Sequence, residues 1–180
     1  MNSGTEIVNS SDGTVPKLII LRGNSGSGKT TVAKALQHKI GRNTLMIPQD
    51  LVRRDMLWAH DGQGTAALPL LMDLLQYGCT HSAVTILEGI LYSKAYRPLF
   101  ELAVSLYHSE IYAYYYDIPF EETLRRHENK PNHSDFGESD MRSWWKGKDY
   151  LDMIHETTIT MDSSSDQTVE MILSDIGRAE

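Results

Sequence analysis

The sequence predicts an α/β fold in three layers, with a parallel sheet of roughly five strands between two layers of helices. Three observations predict it. Short apolar runs of strand length alternate with longer stretches of helical spacing, as expected for strands joined by crossover helices. The first run passes through a glycine-rich loop straight into a helix. Asp50, Glu88 and Asp117 each stand where an apolar run ends, and parallel sheets bind ligands beyond the carboxyl ends of their strands. At 180 residues the chain suits one domain with a real core.

Residues 1–15, rich in Ser, Thr, Asn, Gly and Asp, read as a flexible arm, and residues 16–180 as the domain. Leu18–Leu21 is an apolar run of a buried strand, and Thr31–Gln37 a helix that Gly41 stops. Thr44–Ile47 is the second strand. A helix then runs from Leu51 to about Trp58, with Asp50 as its cap. Residues 61–64, Asp-Gly-Gln-Gly, are a loop, and Ala67 to Tyr77 carries helical apolar spacing. Ala83–Leu87 is the third strand, and about Lys94 to Tyr107 the next helix. Ile111–Tyr116 is the fourth strand. Pro119 followed by Glu121 and Glu122 starts another helix. Asn129–Gly137 is a polar loop, Glu138 to Lys146 a helix, Thr158–Met161 a fifth strand and Gln167–Ile176 the last helix.

The loop Gly23-Asn24-Ser25-Gly26-Ser27-Gly28-Lys29-Thr30 fits G-x-x-x-x-G-K-[ST], the phosphate-binding P-loop. Its place between a strand and a helix is the context that motif needs, so the fold is expected to be that of a P-loop NTPase. The three glycines let backbone approach phosphate oxygens. Successive N–H groups form an anion nest, and the helix from Thr31 onward adds its positive end. Lys29 supplies a cation for the β- and γ-phosphates, and Thr30 a hydroxyl for Mg²⁺.

Beyond the loop, Asp50 can accept a hydroxyl proton during transfer. Arg53, one helical turn on, can hold a substrate anion or the migrating phosphoryl group. The competing reading is a helix cap at Asp50 and a solvated charge at Arg53. Glu88 can hold Mg²⁺ through water or orient substrate; otherwise it is a strand-end acid satisfied by the next loop. Arg125, Arg126, Lys130, Arg142, Lys146 and Lys148 could fold over the nucleotide as a helical lid of about residues 120–148. Each of these cations has the alternative of a solvated face. Trp144 and Trp145 are adjacent and point apart on a helix; core packing is the expectation, with base stacking the alternative.

The net charge of −7 gives no overall field for a polyanion, which makes a long nucleic acid the less natural partner. Cys79 is the sole cysteine, so no intrachain disulfide forms, and it reads as a small core residue. No apolar run approaches a membrane span, and the N-terminus lacks a signal-peptide layout, which points to the cytoplasm. His127 and His133 come without a zinc-site pattern. Asn129-Lys130-Pro131-Asn132 lacks the Asp of a guanine-reading motif.

The order of P-loop, Asp50-x-x-Arg53, Glu88-Gly89 and Asp117-x-Pro119 through Arg126 resembles the small P-loop kinases, over about Lys17 to Ile176. The chain is most similar to the polynucleotide 5′-kinase, zeta-toxin and uridine-kinase-like group. That resemblance implies ATP as donor, Asp50 as general base, Arg53 on the substrate, and Arg126 at a lid arginine position. Residues 136–146, from Phe136 to Lys146, depart from the pattern and mark a separate branch. The expected function is an ATP- and Mg²⁺-dependent phosphotransferase acting on a hydroxyl of a small molecule such as a nucleoside or antibiotic. Rivals are a polynucleotide 5′-hydroxyl kinase and an NTPase switch working with a protein partner. The expected nucleotide contacts are Gly23, Asn24, Ser25, Gly26, Ser27, Gly28, Lys29, Thr30 and Thr31, with Thr30 and Glu88 toward the metal. Oligomeric state is not legible.

Overall fold

The computed structural model describes residues 15–61, 64–128 and 137–177. Residues 1–14 of the expected arm, Gly62 and Gln63, and residues 129–136 with Lys130 and His133 lie outside the described residues. The elements run β1 (Lys17–Gly23), α1 (Lys29–Ile40), β2 (Leu45–Pro48), α2 (Gln49–Leu51), α3 (Ala67–His81), β3 (Val84–Gly89), α4 (Arg97–Tyr107), β4 (Ile111–Tyr116), α5 (Phe120–Glu128), α6 (Glu138–Trp144), β5 (Glu156–Ile159) and α7 (Ser165–Gly177). The three-residue α2 runs directly into a π-helical turn, Val52–Met56. The five strands are all parallel, in the order β2-β3-β1-β4-β5. The three-layer α/β fold expected from the sequence is the fold observed.

Strand periodicity divides the core. Leu18 and Ile20 of β1 join Leu71, Leu75, Leu99 and Phe100 of α3 and α4 on one face. Ile19 and Leu21 join Val32, Leu36, Val169 and Ile172 of α1 and α7 on the other. Full burial of such a side chain contributes about 1.5–3 kcal/mol, more than the helix propensity of any one residue. Two-sided burial is why β1 reads as an unbroken apolar run. Cys79 is half-buried against the α3–α4 side, as expected for a small packing residue. Burial pushes its thiol pKa up.

Four boundaries differ from the sequence reading. The helix after β2 begins at Gln49, with Pro48 at its N-cap, so Asp50 lies in the first turn and is no cap. That helix leaves α geometry at Val52 and ends by Leu57. α4 starts at Arg97, because residues 93–96 form a turn held by Ser93, whose N–H and hydroxyl both donate to Asp149. β5 spans Glu156–Ile159, two residues earlier than expected. Its first residue is anchored by an ion pair to Arg22 at 2.8 Å, while Met161 is exposed.

Candidate active site

Strand register brings the expected site residues to one edge. Arg22 of β1 pairs with Gly89 of β3, Pro48 of β2 with Glu88, and Gly23 with Tyr116 of β4. The P-loop leaves the middle of the sheet, flanked by Glu88 on one side and Tyr116 on the other.

The P-loop is packed so tightly that glycine is required at two places. At Gly26, with φ of 82°, an added Cβ would stand 2.5 Å from the Thr123 carbonyl oxygen of α5. At Gly23, with φ of 141°, it would stand 2.8 Å from the Tyr116 carbonyl oxygen. Both positions exclude an L side chain by space and by backbone angle. Gly28 precedes α1 with no side-chain cap, so the positive end of that helix is turned to the loop. Ser25 is half-buried, and Thr31 is exposed on the first turn of α1. The buried Lys29 ammonium donates to the Asn24 carbonyl at 2.8 Å and to Ser27 Oγ at 3.1 Å. Thr30 Oγ1 donates to Glu88 Oε1 at 3.1 Å, and Glu88 is only 4 % exposed. Thr30 of the P-loop and Glu88 at the end of β3 are hard oxygen donors, the ligand chemistry that suits Mg²⁺ bound mainly through water and phosphate.

Asp50 and Arg53 meet. Arg53 Nη2 donates to Asp50 Oδ1 at 2.9 Å, and Arg54 Nε stands 3.5 Å from the same oxygen. The Asp50 side chain is 61 % exposed and that of Arg53 only 15 %, so Arg53 is not a solvated surface charge. Ala59 N–H donates back to the Arg53 carbonyl at 2.8 Å, wrapping the chain around the guanidinium. Arg53, Arg54, Trp58, His60, Asp140 and Trp144 line a cleft of about 450 Å³ between this turn and α6.

Among the expected cations, Arg126 reaches the P-loop. Its Nη1 donates to the Ser27 carbonyl at 3.0 Å and its Nε to Glu122 at 2.6 Å. Arg125 is exposed and pairs with Glu122 at 2.7 Å. Those two guanidiniums, Arg125 first, hold the Glu122 carboxyl down to about 2. Arg142 pairs with Glu138 at 2.7 Å and lies 4.3 Å over the Phe120 ring. The Lys146 ammonium lies 4.5 Å from the Tyr92 ring centroid. Neither tryptophan is a core residue: both are half-buried. Trp145 meets Phe120 edge-on at 5.2 Å, and Trp144 faces the cleft. α6 is only two turns long and buries Met141 alone, which is too small a face to enclose an indole.

The contacts of three residues escape a sequence reading. Asn24 clasps the backbone of Lys146, donating to its carbonyl at 2.7 Å and accepting from its N–H at 3.0 Å. The fully buried Gln49 accepts from the N–H groups of Ile90 and Leu91 at 3.0 and 3.3 Å, and donates to Tyr96 Oη at 2.7 Å. It fixes the end of β2, and so Asp50, against the end of β3. Arg22 is wholly buried beneath the P-loop; it donates to Leu91 O at 3.0 Å, to both Glu156 oxygens at 2.8 and 3.0 Å, and to Asp149 Oδ2 at 2.9 Å. Asn24 has a sequence signal through the motif, but its partner lies 122 residues away. Gln49 and Arg22 have none.

The Tyr116 hydroxyl is buried beside the loop without a hydrogen-bond partner among the described residues. Burial foremost, then the charge of Glu88, raises its pKa against the opposing influence of Arg126. A shallow crevice beside it runs between Ser27, Arg126, Ile159, Thr160 and Ser163. A larger cavity, about 560 Å³ around Ile111, Tyr112, His155 and Asp175, opens near the starts of β4 and β5. That is the wrong end of a parallel sheet for ligand chemistry, so the carboxyl edge is taken as the site.

A family model described as an AAA domain matches residues 18–152. No curated protein matches the sequence significantly. Solved structures with the same fold include a gluconokinase from Sinorhizobium meliloti 1021, at 15 % identity and a TM-score of 0.65, covering 92 % of this chain and 94 % of that one. The APS kinase CysC of Mycobacterium tuberculosis, solved with AMPPNP and APS, is similar at 18 % identity and a TM-score of 0.62, over 92 % and 99 % of the two chains. Shikimate kinase from Acinetobacter baumannii gives 20 % and 0.57, over 92 % and 95 %.

Proposed function

Since the chain belongs to the AAA domain family matched over residues 18–152, we propose that it is an ATP- and Mg²⁺-dependent phosphotransferase moving the γ-phosphoryl group to a hydroxyl of a small molecule. One observation carries this reading. The Thr30–Glu88 contact on the P-loop and the Asp50–Arg53 pair stand at the ends of adjacent strands, with Pro48 opposite Glu88. A P-loop that served only as a nucleotide switch has no need of an exposed carboxylate held by a half-buried guanidinium beside an open cleft. Solved structures named as gluconokinase, APS kinase and shikimate kinase share the fold, which supports a small-molecule acceptor.

In this mechanism the loop amides and Lys29 hold the β- and γ-phosphates. Thr30 and Glu88 would hold Mg²⁺, which when bound supplies charge neutralisation at the phosphates. Asp50 takes the proton from the acceptor hydroxyl as that oxygen bonds to the γ-phosphorus. The bond to the ADP oxygen breaks, and ADP leaves. Arg53 positions the acceptor, and Arg126 offsets charge on the transferring group. The described parts of the expected lid, residues 120–128 and 137–148, act as that lid, with α5 already on the loop through Thr123 and Arg126.

The test is ADP release by the purified protein with ATP and Mg²⁺ over a panel of nucleosides, sugar acids, hydroxylated antibiotics and short oligonucleotides. Acceptor-dependent release, lost in Asp50→Asn while a non-hydrolysable ATP analogue still binds, is the expected result. ATP turnover indifferent to every acceptor would instead identify an NTPase module.

A further inference from the structure

The cleft beside Asp50 carries more information than a general acceptor pocket requires. Its floor is basic: Arg53 and Arg54 both line it. The two carboxylates nearby are already engaged. Asp50 pairs with both guanidiniums, and Asp140 accepts the Gly137 N–H at 3.0 Å at the start of α6. Arg53 Nε is buried with no hydrogen-bond partner among the described residues, a donor that burial penalises until an acceptor atom reaches it. His60 adds an imidazole ring to the same lining.

Its rim is aromatic. Trp58 is 94 % exposed and holds φ of 46°, a left-handed angle that a bulky side chain rarely adopts. A large apolar ring kept in water on a strained backbone has no role in packing this chain. Trp144 faces the same cleft from α6. Indole faces bind flat rings by stacking, and guanidinium forks bind carboxylate or phosphate.

We propose, resting on the phosphotransferase reading, that this cleft takes an acceptor joining a flat ring to an anionic group, as a nucleoside monophosphate does. The anion lies on Arg53 and Arg54, the ring lies against Trp58 and Trp144, and a hydroxyl between them faces Asp50. A plain polyol offers nothing to the indoles, and a neutral nucleoside nothing to the guanidiniums.

Calorimetric titration of four probes separates these elements: UMP, uridine, ribose 5-phosphate and ribose. They are titrated into the full-length protein saturated with a non-hydrolysable ATP analogue and Mg²⁺, and into the protein alone. UMP should bind about tenfold more tightly than either uridine or ribose 5-phosphate, a step typical of one stacking or ionic contact. Trp58→Ala should weaken UMP and uridine about tenfold and leave ribose 5-phosphate unchanged. Arg54→Ala should weaken UMP and ribose 5-phosphate and leave uridine unchanged. Both side chains are exposed, and unchanged melting temperatures establish that the variants are folded. Equal affinity for all four probes, no UMP binding at millimolar concentration, or variants that bind like the parent overturns the proposal. Failure of the ATP analogue to bind overturns the phosphotransferase reading instead, and the titrations into the protein alone still decide the cleft.

Discussion

Arg126 joins the segment after β4 to the P-loop through one hydrogen bond to Ser27 and one to Glu122. On the proposed mechanism its removal costs transition-state charge stabilisation. Arg126→Ala should lower kcat about a hundredfold or more, and Arg126→Lys should not restore it, since an ammonium cannot bridge both partners in one plane. Arg125→Ala, one residue away but exposed, should stay within about twofold. Steady-state kinetics on the acceptor found by the panel decides both. Glu122 sets the pH range of this contact. Its carboxyl is lowered from 4.5 to about 2 by Arg125 and Arg126, so the ion pair is fully formed above pH 4.5 and is lost only as pH falls toward 2. Between pH 5.5 and 8.5 the rate profile should therefore be the same in parent and Glu122→Gln. A new limb within that window in the variant would show that Glu122 does more than hold Arg126. Legibility at this scale followed proximity in sequence. Asp50 and Arg53 are three residues apart, and their shared helix face was readable, though not the ion pair between them. Arg126 and Ser27 are 99 apart, and the sequence offered Arg126 only as one of six lid cations until a family pattern singled it out.

At the scale of elements, apolar runs were readable because β1 and β3 are buried on both faces, and a buried parallel strand has almost no compositional alternative. Ends were less readable. β5 is edge-placed, has one buried hydrophobic residue, Ile159, and owes its start to an ion pair with a strand that precedes it by more than a hundred residues. The π-helical turn at Val52–Met56 has no sequence signature, although it gives Arg53 its burial. Arg22 links these pieces, tying the P-loop strand to Leu91, Asp149 and Glu156. Arg22→Met should cost about 3–5 kcal/mol, because it leaves the Glu156 carboxylate buried without its charge partner. Adding Glu156→Gln should recover part of that loss by removing the orphaned charge. Urea unfolding of the parent, single and double variants measures both. Equal stability of parent and Arg22→Met would show that Glu156 finds water or another cation. Asn24→Ala tests the neighbouring clasp. It removes two hydrogen bonds to Lys146 and should raise the exchange rate of the Lys146 amide while leaving that of the β1 amides unchanged.

For the whole molecule, sheet order decides where chemistry gathers. β1 sits at the centre with β3 and β4 beside it, so a loop leaving β1 is flanked by carboxylates and tyrosine from both neighbours. That convergence could be anticipated from strand ends alone. The cleft between the π-helical turn and α6 could not, since it depends on how residues 137–144 fold back toward residues 53–60. No helix among the described residues is long and apolar enough to cross a membrane. The net charge of −7 makes an anionic ligand depend on local geometry, not on a global field. Binding that is local and specific must then appear as linked stability. A ligand present at a hundred times its Kd stabilises the folded state by about 2.7 kcal/mol. In a chain of this size each kcal/mol moves Tm by about 2–4 °C, so a saturating ATP analogue with Mg²⁺ should raise Tm by about 5–10 °C. A 20-nucleotide DNA at the same concentration should leave Tm unchanged, because a net charge of −7 gives a polyanion no overall attraction. Lys29→Ala should remove most of the analogue's shift whatever it does to the ligand-free Tm, since the difference between the two melts reports the phosphates alone. A shift from the oligonucleotide as large as that from the analogue would favour a polynucleotide acceptor, and a basic track across α6 would then have to outweigh the overall charge.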